Sequence, residues 1–498
     1  MREQGDPFLW LDYIYFGDNH LKNAFDNIFG DRNQMLHMEF KWSRKPEERR
    51  LMQQFVGQAG VMAMAEMVAL KKVHPADISW RVSFPEAMSA DAINHFSKTW
   101  TMLVRDQLMR SVAGAPRHTI KPPAFYSEGA AAAVWFREAS NLKTPSMIVL
   151  DIGGGTTDIS LWRDDKQIWR DSFLIAGRDL IIDFFVKNRE ALSELNVSNL
   201  IEKPEYRNRI LNSAAAGGED NTDKVRKAIT VLVNNPQFAA NFERQFPLVA
   251  ETPAGRRLRA GARTMLAGMM YYVGLQLRYL MKLGKVTPQV FQMPSVAFAG
   301  RGSTIFKYLH GADGFGSPLD GAMAMFKIAG ELGENVQPRA HFSPEPKHEV
   351  ASGMLRAGDE HRINLAGGSV REIERVVGDI VTGPARAGGD NVVIQAYEPM
   401  SRLHDVNVDG LYVQDAPEFV NFLEQLKKHA RLAIDPSPEA WQSLYVGATR
   451  EIVDYVNLGE RREGQYEVGP PFIRMLRELM GMIYSGEEAG MVKVRSEQ

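Results

Sequence analysis

The chain has 498 residues, no cysteine, a net charge of −2, and 44% apolar against 24% charged residues. Those values exclude disulfides, thiolate metal sites and cysteine nucleophiles, and they give no electrostatic case for nucleic acid or an anionic membrane. No run of about eighteen uncharged apolar residues occurs, and the start is polar, with Arg2, Glu3 and Asp6. The expectation is a cytoplasmic protein of two to four domains with no membrane span and no signal peptide.

Residues 8–40 are aromatic-rich, with turn signals at Asp18-Asn19 and Gly30-Asp31, and receive no assignment. Residues 46–73 read as one long helix. Pro46 suits its first turn, and Leu51, Phe55, Ala59, Met62 and Met67 approximate one face, widened by Met64 and Val68. Residues 78–84 alternate as a strand that Pro85 ends. Ser89 is placed to cap a helix over 91–111. After Pro122-Pro123, residues 124–126 form a short strand. A helix of small residues then opens at Glu128, where close packing and close approach to a ligand are both open readings. The 24 methionines most often fill core gaps.

Residues 147–162 carry the most information. An apolar run ends in Asp151, followed by Gly153, Gly154, Gly155, Thr156, Thr157 and Asp158, then a second apolar run. Glycines let backbone amides approach an anion with no Cβ in the way. Successive amides in such a turn form a concave nest for phosphate oxygens. Asp151 and Asp158 are hard oxygen donors suited to Mg2+, directly or through its waters. Residues after the glycines are β-formers, so the turn leads into a strand and not a helix. That separates it from a P-loop or a dinucleotide fold, whose glycines open a helix, and no Gly-Lys-Ser/Thr triplet occurs.

A third strand is expected over 168–174, then Ala176-Gly177-Arg178-Asp179 and a helix to about Lys187. Residues 188–290 look like a helical insertion with breaks at Pro204, Gly217-Gly218, Asn234-Asn235-Pro236 and Thr252-Pro253. Its last part, 257–282, reads as a long buried helix with Met265, Met269, Tyr272 and Leu275 on one side and its arginines on a solvated face. Residues 296–299 form a strand leading into Gly300-Arg301-Gly302-Ser303 and a helix over 304–309. The amides of such a helix start could meet an anion or the sugar-phosphate side of a nucleotide. A small-residue helix follows over 321–329, and residues 337–348 read as a linker. Strands around 391–397 and 410–414 and helices at 416–430, 437–456 and 470–485 complete the chain. The eleven histidines show no His-x-x-x-His spacing, and no Gly-x-Ser-x-Gly elbow exists.

Three of these segments, in this order, resemble the actin-like ATPase superfamily of actin, bacterial actin homologues, DnaK-type chaperones and sugar kinases. Residues 151–158 resemble its second phosphate hairpin. The segment from Glu128 resembles its first connecting helix, and residues 298–303 resemble its adenosine motif. Gly177-Arg178-Asp179 sits where the family has a glycine turn. The resemblance covers roughly residues 75–330. It implies an α/β, actin-like (ribonuclease H-like) two-lobed fold. The lobes would be 1–145, incomplete at its start, and 146–330, with the insertion at 188–290; a mixed α/β to helical region follows over 331–498.

The resemblance also implies a site. ATP and Mg2+ would be its cofactors, with Asp151 and Glu128 catalytic and Asp151 and Asp158 on the metal. Gly153, Gly154, Gly155, Thr156, Thr157, Gly300, Arg301, Gly302 and Ser303 would touch the nucleotide. The implied function is a nucleotide-driven switch or filament ATPase, with a protein partner or self-assembly. A non-hydrolysing scaffold, a DnaK-type chaperone and a small-molecule kinase are the alternatives. The family's first phosphate hairpin has no counterpart here. Residues 12–17 are the nearest candidate and lack the small residues a phosphate needs; the strand pair either lies on polypeptide outside this chain, the favoured expectation, or has decayed. Arg301 stands where the family usually has glycine, and a solvent-facing side chain is the favoured reading.

Overall fold

The computed structural model describes residues 46–74, 77–85, 90–106, 121–142, 144–164, 166–188, 252–287, 294–309, 318–346, 348–358, 376–461, 470–485 and 492–496, with single positions 191, 226, 229 and 242. The expectations for residues 8–40, including 12–17, for the Ser89 cap and for most of 188–251 lie outside the described residues.

In the amino-terminal part, α1 (Pro46–Lys71) precedes β1 (Arg81–Phe84), α2 (Ala90–Met102) and β2 (Ala124–Ser127). Here β1 and β2 pair in parallel, Arg81 opposite Ala124. On α1 the structure buries Met64, one of the two residues expected to widen the face, but leaves Ala59, Met62, Met67 and Val68 exposed. Ser127 ends β2 and caps α3 (Glu128–Glu138), its hydroxyl accepting from Ala130 N. Such a cap satisfies one of the orphan amides of a helix start.

The central sheet is built from β3 (Ser146–Ile152), β4 (Thr157–Arg163) and β5 (Lys166–Phe173), an antiparallel meander. After β5 the chain makes a wide helical turn, Arg178–Ile182, that continues into α4 (Asp183–Lys187). The long helix α5 (Pro253–Lys282) is capped by Thr252, whose hydroxyl accepts from Gly255 N. Thr252-Pro253, expected as a break, is therefore a helix start, since proline at the first turn loses no helical hydrogen bond. Next come β6 (Ser295–Ala299), α6 (Thr304–Leu309), α7 (Pro318–Ala329) and β7 (Arg339–Phe342). Strand order is β5-β4-β3-β6-β7, with β6 parallel to β3 and β7 parallel to β6. The expected linker over 337–348 thus contains the edge strand β7. Its Arg-Ala-His-Phe sequence is polar enough to hide it, as edge strands often are.

The alternation of β3 assigns the two faces of this sheet. Ile148, Leu150 and Ile152 belong to the core shared with α5, while Met147 and Val149 cluster with Trp162, Ala297, Ala299 and the alanines of α3. α3 also lies against α8 (Glu349–Arg356), so closely that a Cβ at Gly353 would fall inside the Ala131 carbonyl. Close packing is therefore what the small residues of α3 provide. The Arg81 guanidinium donates to the Met354 and Ala357 carbonyls at the end of α8, joining β1 to this layer.

The last part contains β8 (Ile380–Pro384), β9 (Asn391–Ile394), β10 (Tyr412–Asp415), α9 (Pro417–Ala430), β11 (Leu432–Pro436), α10 (Pro438–Arg461), α11 (Pro471–Ser485) and β12 (Val492–Ser496). Its core is continuous with that of the central sheet. α5 lies at the centre, and its arginines are not a uniform solvated face: Arg259 is buried, and Arg278 pairs with Glu331 at 2.7 Å. Gly261 and Gly268 admit Tyr484 and Leu476 of α11 against its backbone. Phe472 stacks on Tyr271 at 5.5 Å and meets Phe419 and Phe422 edge-on. Each such ring pair contributes about 0.5–1.5 kcal/mol beyond area burial. No described helix is long and apolar enough to cross a membrane.

Candidate nucleotide site

Because β3 and β6 are adjacent and parallel, their carboxyl ends lie together. β3 runs into Gly153-Gly154-Gly155-Thr156, and β6 runs into Gly300-Arg301-Gly302-Ser303. Gly300 has φ +74°, a conformation L side chains rarely adopt. A Cβ there would also press on the Asp151 carboxylate and the Ile152 carbonyl. The third glycine turn joins them. Gly177 N donates to Gly153 O at 3.1 Å, and Arg178 N donates to Gly154 O at 2.8 Å. A Cβ at Gly177 would sit 3.0 Å from Gly153 O and 3.3 Å from Gly302 Cα. Three turns separated by up to about 150 residues of sequence therefore share one patch of backbone.

The geometry gives each expected residue a place. Gly153 N closes its own turn on Thr156 O at 2.9 Å, and Thr157 is buried with its hydroxyl on Ile175 O at 2.6 Å. Gly154 is exposed, Gly155 and Thr156 are half-buried, and nothing lies within 4 Å of a Cβ built on Gly154 or Gly155. The bend is open to solvent and is not sealed by bulky neighbours. Ser303 is buried, and its hydroxyl donates to Gly300 O at 2.7 Å, so it tightens its own turn. Arg301 is exposed.

Asp151 and Asp158 stand directly opposite each other in the β3–β4 register, hence on one face of the sheet. Asp158 is buried and Asp151 half-buried. Like charges opposite each other on adjacent strands are destabilising, which a divalent cation between them would reverse. Among the described residues no group of three or more acidic or histidine side chains could hold a metal by itself. The pair therefore fits a Mg2+ that keeps waters and takes further oxygens from a phosphate, and does not fit a cage of protein ligands. Glu128 is half-buried at the head of α3, the helix that covers this same face.

Two long-range contacts of the surrounding frame, made by Glu349 and Arg477, have no signal in the sequence. Glu349, buried at the start of α8, accepts from Gly300 N at 3.3 Å. Asp179 accepts from Ala176 N at 2.8 Å and from Arg477 Nε at 2.7 Å, so α11 holds the Gly177 turn in place. Burial pushes the Asp179 carboxyl up and Arg477 pulls it down, burial being the larger effect. For Arg477 burial is the largest influence and acts to lower the pKa, but Asp179, by charge and hydrogen bond, together with Asp183 and Glu451, more than offsets it and the pKa is raised. The contacts link positions 49 and 298 residues apart, distances at which local sequence patterns carry no information.

No family model matches this chain, and no curated protein sequence does. Among solved structures it is similar to MreB 5 of Spiroplasma citri bound to AMPPNP, with 13% identity over 60% of this chain and 74% of that one, and a TM-score of 0.26. It is likewise similar to the same protein bound to ADP, with 12% identity over 60% and 73% of the two chains and a TM-score of 0.26. A TM-score of 0.26 is not a fold shared over the whole chain.

Proposed function

We propose that this chain is an actin-like nucleotide-binding protein that takes ATP with Mg2+ and acts as a nucleotide-driven switch or filament ATPase. The observation that carries the reading is the meeting of three glycine turns at the carboxyl ends of β3 and β6, beside two facing aspartates. In open α/β sheets that end is where ligands bind. Amides of Gly154, Gly155 and Thr156 would hold the terminal phosphates, since Gly153 N is engaged with Thr156 O. Asp151 and Asp158 would hold hydrated Mg2+, which supplies charge neutralisation at the phosphates when bound. Asp151 or Glu128 would orient the attacking water. Phosphoryl transfer asks mostly for such positioning. Gly300, Arg301 and Gly302 would border the adenosine, and Ser303 would serve by shaping their turn.

A non-hydrolysing scaffold is the second reading. Among the described residues before β3, no second strand–glycine–strand hairpin faces the turn; β1 and β2 are parallel and far apart in sequence. A chaperone reading has less support, because the part after residue 376 is built around α9, α10 and α11, with no β-sandwich among the described residues. Calorimetry with Mg-ATP tests the proposal: saturable binding that Asp158→Ala abolishes is expected, and no saturable heat at millimolar ATP would refute it. Hydrolysis by wild type against Asp151→Ala then separates ATPase from scaffold. Light scattering with and without ATP separates filament from monomeric switch.

A further inference from the structure

A buried carboxylate stands behind the glycine turns, and the proposed nucleotide site leaves it without a task. Glu349 is 1% exposed, whereas glutamate is almost never fully buried unless it is paired. Its Oε1 accepts from Gly300 N at 3.3 Å. That amide is therefore engaged by the protein, as Gly153 N is by Thr156 O.

The frame around Glu349 fixes it in place. It opens α8, whose Gly353 lies so close to the Ala131 carbonyl of α3 that no Cβ fits between them. At the other end of α8 the Arg81 guanidinium donates to Met354 O and, at 2.8 Å, to Ala357 O. Val350, the next residue of the helix, packs with Ala297 and Ala299 of β6.

The carboxylate lies where Asp151 also arrives. Ala299 pairs with Asp151 in the β3–β6 register, and Gly300 follows it in the chain. A Cβ on Gly300 would fall 2.4 Å from Asp151 Oδ1, and the amide of the same residue holds Glu349. Two carboxylates thus converge on one residue, with Asp158 opposite Asp151 on the neighbouring strand. Negative charge gathered at one end of the sheet repels a free nucleotide polyanion and attracts a divalent cation. Among the described residues no three acidic or histidine side chains are arranged to hold a metal. Glu349 therefore acts on a cation through its field and not as a ligand.

From this arrangement we propose that Glu349 is a positioning residue of the nucleotide site: it pins the Gly300 turn, and its charge makes ATP binding conditional on Mg2+. The proposal rests on the nucleotide reading. Calorimetry of the full chain gives the ATP dissociation constant with Mg2+ and with EDTA. Hydrogen exchange of residues 298–303 is read in the protein without ligand. Glu349→Gln keeps an acceptor for Gly300 N and removes the charge; Glu349→Ala removes both. In Glu349→Gln the advantage of Mg2+ over EDTA is expected to shrink about threefold or more, with exchange as in wild type. In Glu349→Ala exchange at 298–303 quickens and Mg-ATP binds about fivefold more weakly, the loss of one hydrogen bond. An unchanged Mg2+ advantage in Glu349→Gln, or unchanged exchange in Glu349→Ala, overturns the proposal while wild-type binding leaves the nucleotide reading standing. A wild type that binds no ATP overturns both. Should Glu349→Ala fail to fold, the Mg2+ advantage of Glu349→Gln decides alone.

Discussion

Replacing Arg477 with methionine keeps the stem of the side chain and deletes the guanidinium that faces Asp179. The aspartate side chain is 4% exposed and Arg477 32%. Removing one partner of a buried pair costs about 3–5 kcal/mol, because the remaining charge has lost its compensation. Since Arg477 reaches water over a third of its surface, water can partly replace it, and about 3 kcal/mol is the expectation at neutral pH. The pH dependence is the sharper signature. Burial already holds the Asp179 carboxyl above its ordinary range, and Arg477 opposes that rise. Without Arg477 the folded-state pKa climbs further above the unfolded value of about 3.9. Between those two values the folded state binds more protons than the unfolded state, so stability falls as pH rises through that window. The penalty is complete above the folded pKa and vanishes below the unfolded one. Urea unfolding followed by tryptophan fluorescence at pH 7.5 and pH 5 measures it. Arg477→Met is expected to lose distinctly less, relative to wild type, at pH 5. Adding Asp179→Asn is expected to recover most of the loss, as the amide oxygen can still accept from Ala176 N. An equal loss at both pH values, or a loss under about 1 kcal/mol at pH 7.5, would refute the buried-pair account.

Gly302→Ala brings a Cβ to 2.8 Å from Ile152 O and 2.9 Å from Gly153 O, both backbone atoms. It is expected to cost about 1–3 kcal/mol and to weaken Mg-ATP in calorimetry. Gly154→Ala meets nothing within 4 Å and should stay within about 0.5 kcal/mol of wild type. On α8, alanine at Gly353 gains about 1 kcal/mol of helix propensity but strikes the Ala131 carbonyl. Chemical denaturation should show a net loss, and a gain would mean that α3 and α8 are not in contact. Asp379 is fully buried, with Oδ1 accepting from Phe419 N at 3.4 Å and Oδ2 without a partner. Burial raises its pKa well above the usual carboxylate range, so its burden is absent below the unfolded pKa and grows as pH rises through the folded one. Asp379→Asn should therefore match wild type near pH 4 and exceed it in stability at pH 8; a flat difference across that range would exclude this origin.

What the sequence determined by itself is local. Apolar runs on either side of Gly153–Gly155 required a strand on each side, because residues 147–152 and 157–163 are β-formers that a glycine turn folds back on themselves. The helix at Glu128 was legible from its small residues, although the cap at Ser127 was fixed only by the fold. The short polar edge strand β7, and the short strands β8, β11 and β12 in the last part, were not legible. Their side chains are sorted by neighbours distant in sequence, and four or five residues hold too little periodicity to declare a face.

The tertiary structure alone decided which glycines meet. Gly177 lies on Gly153 and Gly302 because β3 and β6 run parallel side by side. It also decided that Thr157 and Ser303 turn their hydroxyls inward to carbonyls. The same packing brought Glu349 to Gly300 and Arg477 to Asp179. A hydrogen bond between residues hundreds of positions apart leaves no periodic trace along the chain, because its partners are chosen by the burial of the apolar faces that carry them.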